Sequence, residues 1–162
     1  MHNCVDTEDW ILFHATCARQ DFEIPRGPAF FYLEQGTGEK YLKLYHSMEY
    51  VSRAKSREKQ YMIKNSPTVV SVESVSGEQR WVEENSDLRL PLVMRGRGSV
   101  IDRWPTYTNQ IVKVYEDNHI DGLYDKFNDI VVIFKPEKFL EYVSSQKFSP
   151  TNSAMENIVW KR

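Results

Sequence analysis

The stretch that decides the fold is Asp129-Ile130-Val131-Val132-Ile133-Phe134-Lys135-Pro136. Its five consecutive apolar residues are bounded by polar ones, too short a run for a globular helix. They read as a central strand buried on both faces. Pro136 predicts a short helix through Leu140 and Val143, because proline suits the first helical turn. Upstream, Asp121-Gly122 marks a turn, followed by Asp125 and Asp129. Asp129 therefore stands at the mouth of the central strand, and Asp121 is its rival as a placed acid.

Toward the N-terminus, Trp10-Ile-Leu-Phe-His-Ala-Thr16 predicts a short buried strand with His14 near its end. A second strand is predicted over 29–33, then a turn at Gln35-Gly-Thr-Gly38. Tyr41, Leu44, Tyr45, Met48 and Val51 recur at spacings of three and four, which predicts a helix over 39–59. Its basic tail, with Arg53, Lys55, Arg57 and Lys59, suits a solvated helix C-terminus. A Val-rich strand follows over 67–75, with a hairpin turn at Gly77-Glu78 and a return over 80–82. Residues 88–94 read as an edge strand because of Pro91, and 95–98 (Arg-Gly-Arg-Gly) as a flexible loop. Thr108 is placed to cap a short helix over Ile111, Val114 and Tyr115. Strands and helices are mixed along the chain, which predicts an α+β fold, as one domain over 1–162.

Composition removes several classes. A hydrophobic content of 41% is too high for a disordered chain, and no apolar run approaches a membrane span. The net charge of −2 lacks the basic excess of a dedicated nucleic-acid binder. Cys4 and Cys17 form no disulfide framework and read as free thiols in a reducing compartment. The four histidines have no metal-ligand spacing, so no metal is expected. Walker, GxSxG, HExxH and GxGxxG motifs are all absent. The aromatic content of 13% suits either flat ligands or an aromatic core.

Three blocks, taken in order, resemble the ADP-ribosyltransferase superfamily, and in particular its small domains in phage and mobile-element polyvalent proteins. They are Leu12-Phe-His-Ala-Thr16; Pro28-Ala-Phe-Phe-Tyr-Leu33 with the helix bearing Tyr41 and Tyr45; and Ile120-Asp-Gly-Leu123 followed by 129–139. The tail 147–152 is similar to the closing segment of the polyvalent group. The resemblance implies two small packed mixed or antiparallel sheets with a NAD cleft and flanking helices. It implies NAD as substrate, cleavage of the nicotinamide–ribose bond, and transfer of ADP-ribose to a macromolecular acceptor, a protein rather than a nucleic acid, or hydrolysis instead. A cytoplasmic phage or mobile-element effector is the setting it implies.

On that resemblance His14 fixes the ribose or amide, with Thr16 beside it. Phe30, Phe31, Tyr32 and Tyr41 supply faces for the nicotinamide. Asp129, or Asp121, is the carboxylate that stabilises an oxocarbenium-like transition state. Arg19 or Arg26 reaches the pyrophosphate. The family's late acid is usually Glu, and here it is Asp129. Two alternatives follow: a catalytically inactive binding module on the same fold, or an unrelated nucleic-acid-interacting protein using Arg53, Lys55, Arg57, Lys59, Arg95 and Arg97.

Overall fold

A computed structural model describes residues 4–16, 22–46, 56–72, 75–89 and 107–148, with backbone only for 43–46 and 75–76. The elements in chain order are β1 (Ile11–Thr16), β2 (Ala29–Phe31), α1 (Thr37–His46), β3 (Arg57–Ile63), β4 (Val69–Ser71) and α2 (Val75–Glu84). Then come α3 (Asn109–Asp117), β5 (Gly122–Asp125), β6 (Ile130–Ile133), α4 (Pro136–Phe139) and β7 (Leu140–Lys147). The α+β architecture with two small sheets is the one expected. A three-stranded antiparallel sheet runs β1-β3-β7, and a four-stranded mixed sheet runs β2-β6-β5-β4. In the second sheet only the β4–β5 pair is parallel.

The run 130–134 explains why the sheets stack. Strand β6 lies between β2 and β5 and is buried throughout. Ile130, Val132 and Phe134 join a core with Val82, Ile111, Val112 and Tyr115 from α2 and α3. Val131 and Ile133 join the opposite core with Leu12, Tyr61 and Leu140 from the three-stranded sheet. The alternation of period two thus feeds a helical layer on one face and a sheet on the other. The two sheets meet where Phe13 and Tyr32 exchange backbone N–H···O bonds of 2.8 Å.

Thr108 caps α3 as expected, its hydroxyl accepting from the Ile111 amide at 3.3 Å. Four expectations are corrected. Of the helix expected over 39–59, the described residues show α1 as far as His46, 47–55 lie outside the described residues, and 57–63 is strand β3. There Lys59 and Tyr61 alternate with Glu58 and Gln60, a strand period hidden by the charge run. The hairpin at Gly77-Glu78 is the first part of α2, because Glu78, Gln79 and Val82 are buried at helical spacing. The turn over 35–38 is shorter than expected, since α1 already begins at Thr37. The helix opened by Pro136 stops at Phe139; Leu140 and Val143 belong to β7, whose pairing with β3 overrides helix propensity. The predicted loop 95–98 and most of the edge strand 88–94 lie outside the described residues.

Candidate functional site

Beyond the Phe13–Tyr32 junction β1 and β2 part, and a cleft of about 340 Å³ opens between them. His14 and Ala15 line it from β1, Ala29 and Phe30 from β2, and Gly38, Tyr41 and Leu42 from α1. Pro25, Pro28 and Tyr32 complete the wall. Its size falls in the range of small-molecule sites, roughly 300–1,000 Å³.

Local chemistry places each of these side chains. Helix α1 can lie against β1 because Gly38 has no side chain. A Cβ there would stand 2.5 Å from the Ala15 Cβ and 2.9 Å from the Tyr32 ring. This close approach stacks Tyr32 on Tyr41, with centroids 5.4 Å apart and planes inclined by 19°. The Tyr41 hydroxyl donates to the Asn128 carbonyl at 3.0 Å. Burial, then the negative charges of Asp125 and Asp129, push the Tyr41 phenol above its ordinary value, so it stays a protonated donor.

His14 Nδ1 lies 2.7 Å from the Phe30 carbonyl oxygen. A carbonyl only accepts, so Nδ1 carries the proton; in a neutral ring Nε2 is then the acceptor nitrogen. His14 also tilts against Phe31 at 5.3 Å between centroids. Phe31 itself is fully buried and forms no part of the cleft wall; its edge-on partner is Tyr61. The register accounts for this. Phe30 and Phe31 point to opposite faces of β2, so only one can reach the cleft, and Phe30 does.

Asp129 has a left-handed backbone, φ 52°, a conformation aspartate tolerates better than most residues. Its carboxylate accepts from the Leu33 amide at 2.8 Å, the Glu34 amide at 3.1 Å and the Thr37 hydroxyl at 2.6 Å. It therefore ties the β5–β6 turn to the start of α1; Asp129 does not itself line the cleft, contrary to expectation, because these three donors engage its carboxylate. Negative charge at a helix N-terminus is favourable there. Glu58 adds a second tie, accepting from the Gly36 amide at 2.8 Å. Burial, outweighing that hydrogen bond, raises its pKa, and Glu39 raises it further.

The structure does not bring Asp121 to this place. It precedes β5, at the opposite end of the strand from the 126–129 turn, and its Oδ2 accepts from the Thr68 amide at 2.8 Å. Thr16 ends β1 opposite Arg57 and does not line the cleft. Arg19 lies outside the described residues, whereas the Arg26 guanidinium sits 4.3 Å over the Phe22 ring. Arg57 and Lys59 are strand residues, and Lys59 is buried, so they do not form the solvated basic face that a nucleic-acid reading needs. Arg53, Lys55, Arg95 and Arg97 are outside the described residues. Among the described residues no group of three or more His, Cys, Asp or Glu is placed to hold a metal ion. No helix among them is long and apolar enough to cross a membrane.

Sequence reasoning missed Pro25, Pro28, Gly38 and Leu42 in the wall. Only Gly38 left a signal, as the second glycine of a Gly-Thr-Gly run entering a helix.

Two stacked small sheets with a cleft beside their junction make an α+β fold, the architecture that the resemblance implies. No family model and no curated protein matches the chain. Among solved structures, a chain of the M. tuberculosis MbcT–MbcA toxin–antitoxin complex is similar, with a TM-score of 0.54 and 8% sequence identity. The match covers 94% of this chain and 90% of that one. At that identity the likeness is one of fold.

Proposed function

We propose that the chain binds NAD in this cleft and breaks the bond between nicotinamide and ribose. The observation that carries the reading is that residues of the first two resemblance blocks line one cleft, while the late acid of the third is bonded to Thr37, the neighbour of the lining residue Gly38. His14, Phe30, Tyr32 and Tyr41 line it together; Asp129 is outside the lining and accepts from Thr37 beside it. The aromatic wall offers the nicotinamide ring a face, with each aromatic contact contributing about 0.5–1.5 kcal/mol. His14 Nε2 accepts from a ribose hydroxyl. When the C–N bond breaks, its electron pair leaves with nicotinamide, which becomes neutral. The positive charge left on the ribose is stabilised by the Asp129 carboxylate, already oriented by its three donors. Water, or an acceptor nucleophile, then adds to the ribose carbon and loses a proton.

The toxin–antitoxin setting of the structural neighbour supports an effector role with a protein partner that restrains it. Transfer of ADP-ribose to a protein is the finer form of this proposal. NAD labelled in its adenosine half, incubated with the protein and a cell lysate, separates the forms. Label on macromolecules means transfer, and label in free ADP-ribose means hydrolysis. Label left entirely in NAD, with and without the lysate, would overturn the proposal. One observation favours an inactive binding module instead, since Asp129 is already engaged by three donors. That reading predicts NAD binding without nicotinamide release.

A further inference from the structure

One wall of the cleft is built from chain with no regular secondary structure. Residues 22–28 contribute Pro25 and Pro28 to it, and they belong to no helix or strand. Two side chains of β3 reach across to them. The Lys59 Nζ donates to the Phe22 carbonyl at 2.5 Å, and the Tyr61 hydroxyl donates to the Glu23 carbonyl at 2.5 Å. Both are buried residues of the three-stranded sheet, Lys59 with 5% of its surface exposed and Tyr61 with none. Two residues apart on one strand, they point to the same face, the face that also carries Leu12 and His14 through the pairs Leu12–Tyr61 and His14–Lys59. The Arg26 guanidinium over the Phe22 ring ties the segment to itself.

We infer that Lys59 and Tyr61 are the positioning residues of the cleft. They hold 22–28 as a fixed wall, so that affinity at the cleft depends on two side chains that are not themselves in its lining. A lysine held in the interior has an energetic reason to be there only if its ammonium is matched by acceptors, and the Phe22 carbonyl is one. Tyr61 is held from the other side by Phe31, edge-on at 5.6 Å, so its hydroxyl is aimed by packing that also positions the strand below the cleft. A wall fixed before the ligand arrives lowers the ordering cost of binding. The inference rests on the NAD reading only for its ligand; the fixing of the wall is a property of the chain.

The test uses the full chain with Lys59→Met and Tyr61→Phe, the second of which keeps the ring and removes only the hydroxyl. Two readouts are taken on each: the rate of tryptic cleavage after Arg26, followed as the peptide ending there, and the affinity for NAD. Loss of either bond is expected to speed cleavage after Arg26 and weaken NAD binding roughly five- to tenfold. KM should move more than kcat, and melting temperature should change little in Tyr61→Phe. If Lys59→Met does not fold, Tyr61→Phe carries the test alone. If the wild type binds no NAD, the proposed ligand is wrong, and the cleavage rate alone decides the inference. Cleavage after Arg26 at the wild-type rate in the folded variants would overturn it, as would unchanged affinity where NAD binds.

Discussion

Replacing Glu78 by Gln should change how stability depends on pH, because Glu78 is a carboxylate sealed inside the helical layer. Only 2% of its surface is exposed, and its Oε1 accepts from the Tyr107 and Tyr115 hydroxyls, each at 2.9 Å. Tyr115 is stacked between Trp81 and Phe134, so little water reaches the group. Burial raises its pKa from 4.5 to about 7, and the two tyrosine donors offset only part of that. The folded protein therefore holds the proton more tightly than the unfolded chain. Between about pH 4.5 and 7 the folded state binds more protons, so stability falls as pH rises across that window. A difference of about 2.5 pKa units corresponds to roughly 3 kcal/mol, lost by pH 8. Gln keeps an oxygen to accept from both tyrosines and carries no charge. Urea denaturation at pH 4.5 and pH 8 should give a Glu78→Gln minus wild-type difference that grows by about 3 kcal/mol with pH, in favour of the variant. Taking the difference cancels the titration of every other carboxylate. A difference equal at both pH values would refute the reasoning, since Glu78 would then ionise alike in folded and unfolded chains.

Substitutions at two further positions probe the cleft and its surroundings. Gly38→Ala forces a methyl group to within 2.5 Å of the Ala15 Cβ, so helix α1 must shift; a loss of about 1–3 kcal/mol in denaturant melts is expected, with weaker ligand binding. Asp129→Ala removes three hydrogen bonds and puts alanine at a φ of 52°, so it should destabilise more than Asp129→Asn, by about 1–2 kcal/mol. If Asp129 stabilises the transition state by its charge, Asp129→Asn should fold yet release nicotinamide about a hundredfold more slowly.

The parts of this fold legible in sequence were those governed by short-range rules. The central strand showed itself as an uninterrupted apolar run, and the α3 cap as a Thr three residues before Ile111. Strand β3 was hidden because its inward residues are Lys59 and Tyr61, and a buried lysine reads as a solvated one until its acceptor is known. Helix α2 was hidden by Gly77, which marks a turn by propensity but is tolerated in a helix whose buried face, Gln79 and Val82 included, packs into the core. For the site, the histidine, the aromatic block and the late acid were legible as residue types in order. What each one bonds was not. The donors to Asp129 lie 92 to 96 residues away in sequence, and the Phe30–Phe31 choice depended on strand register. Asp121 looked equivalent to Asp129 for the same reason, and the length of β5 separates them.

The measurement that bears most directly on the central claim is release of free nicotinamide from NAD by the purified chain, with His14→Ala alongside. His14 lines the cleft, its Nδ1 bond to the Phe30 carbonyl fixes the ring, and on the proposed function that ring meets the ribose. The account predicts steady release by the wild type, and at least a hundredfold less by a folded His14→Ala. Equal release by both, or none by the wild type at saturating NAD with lysate supplied as a source of acceptors, would contradict it.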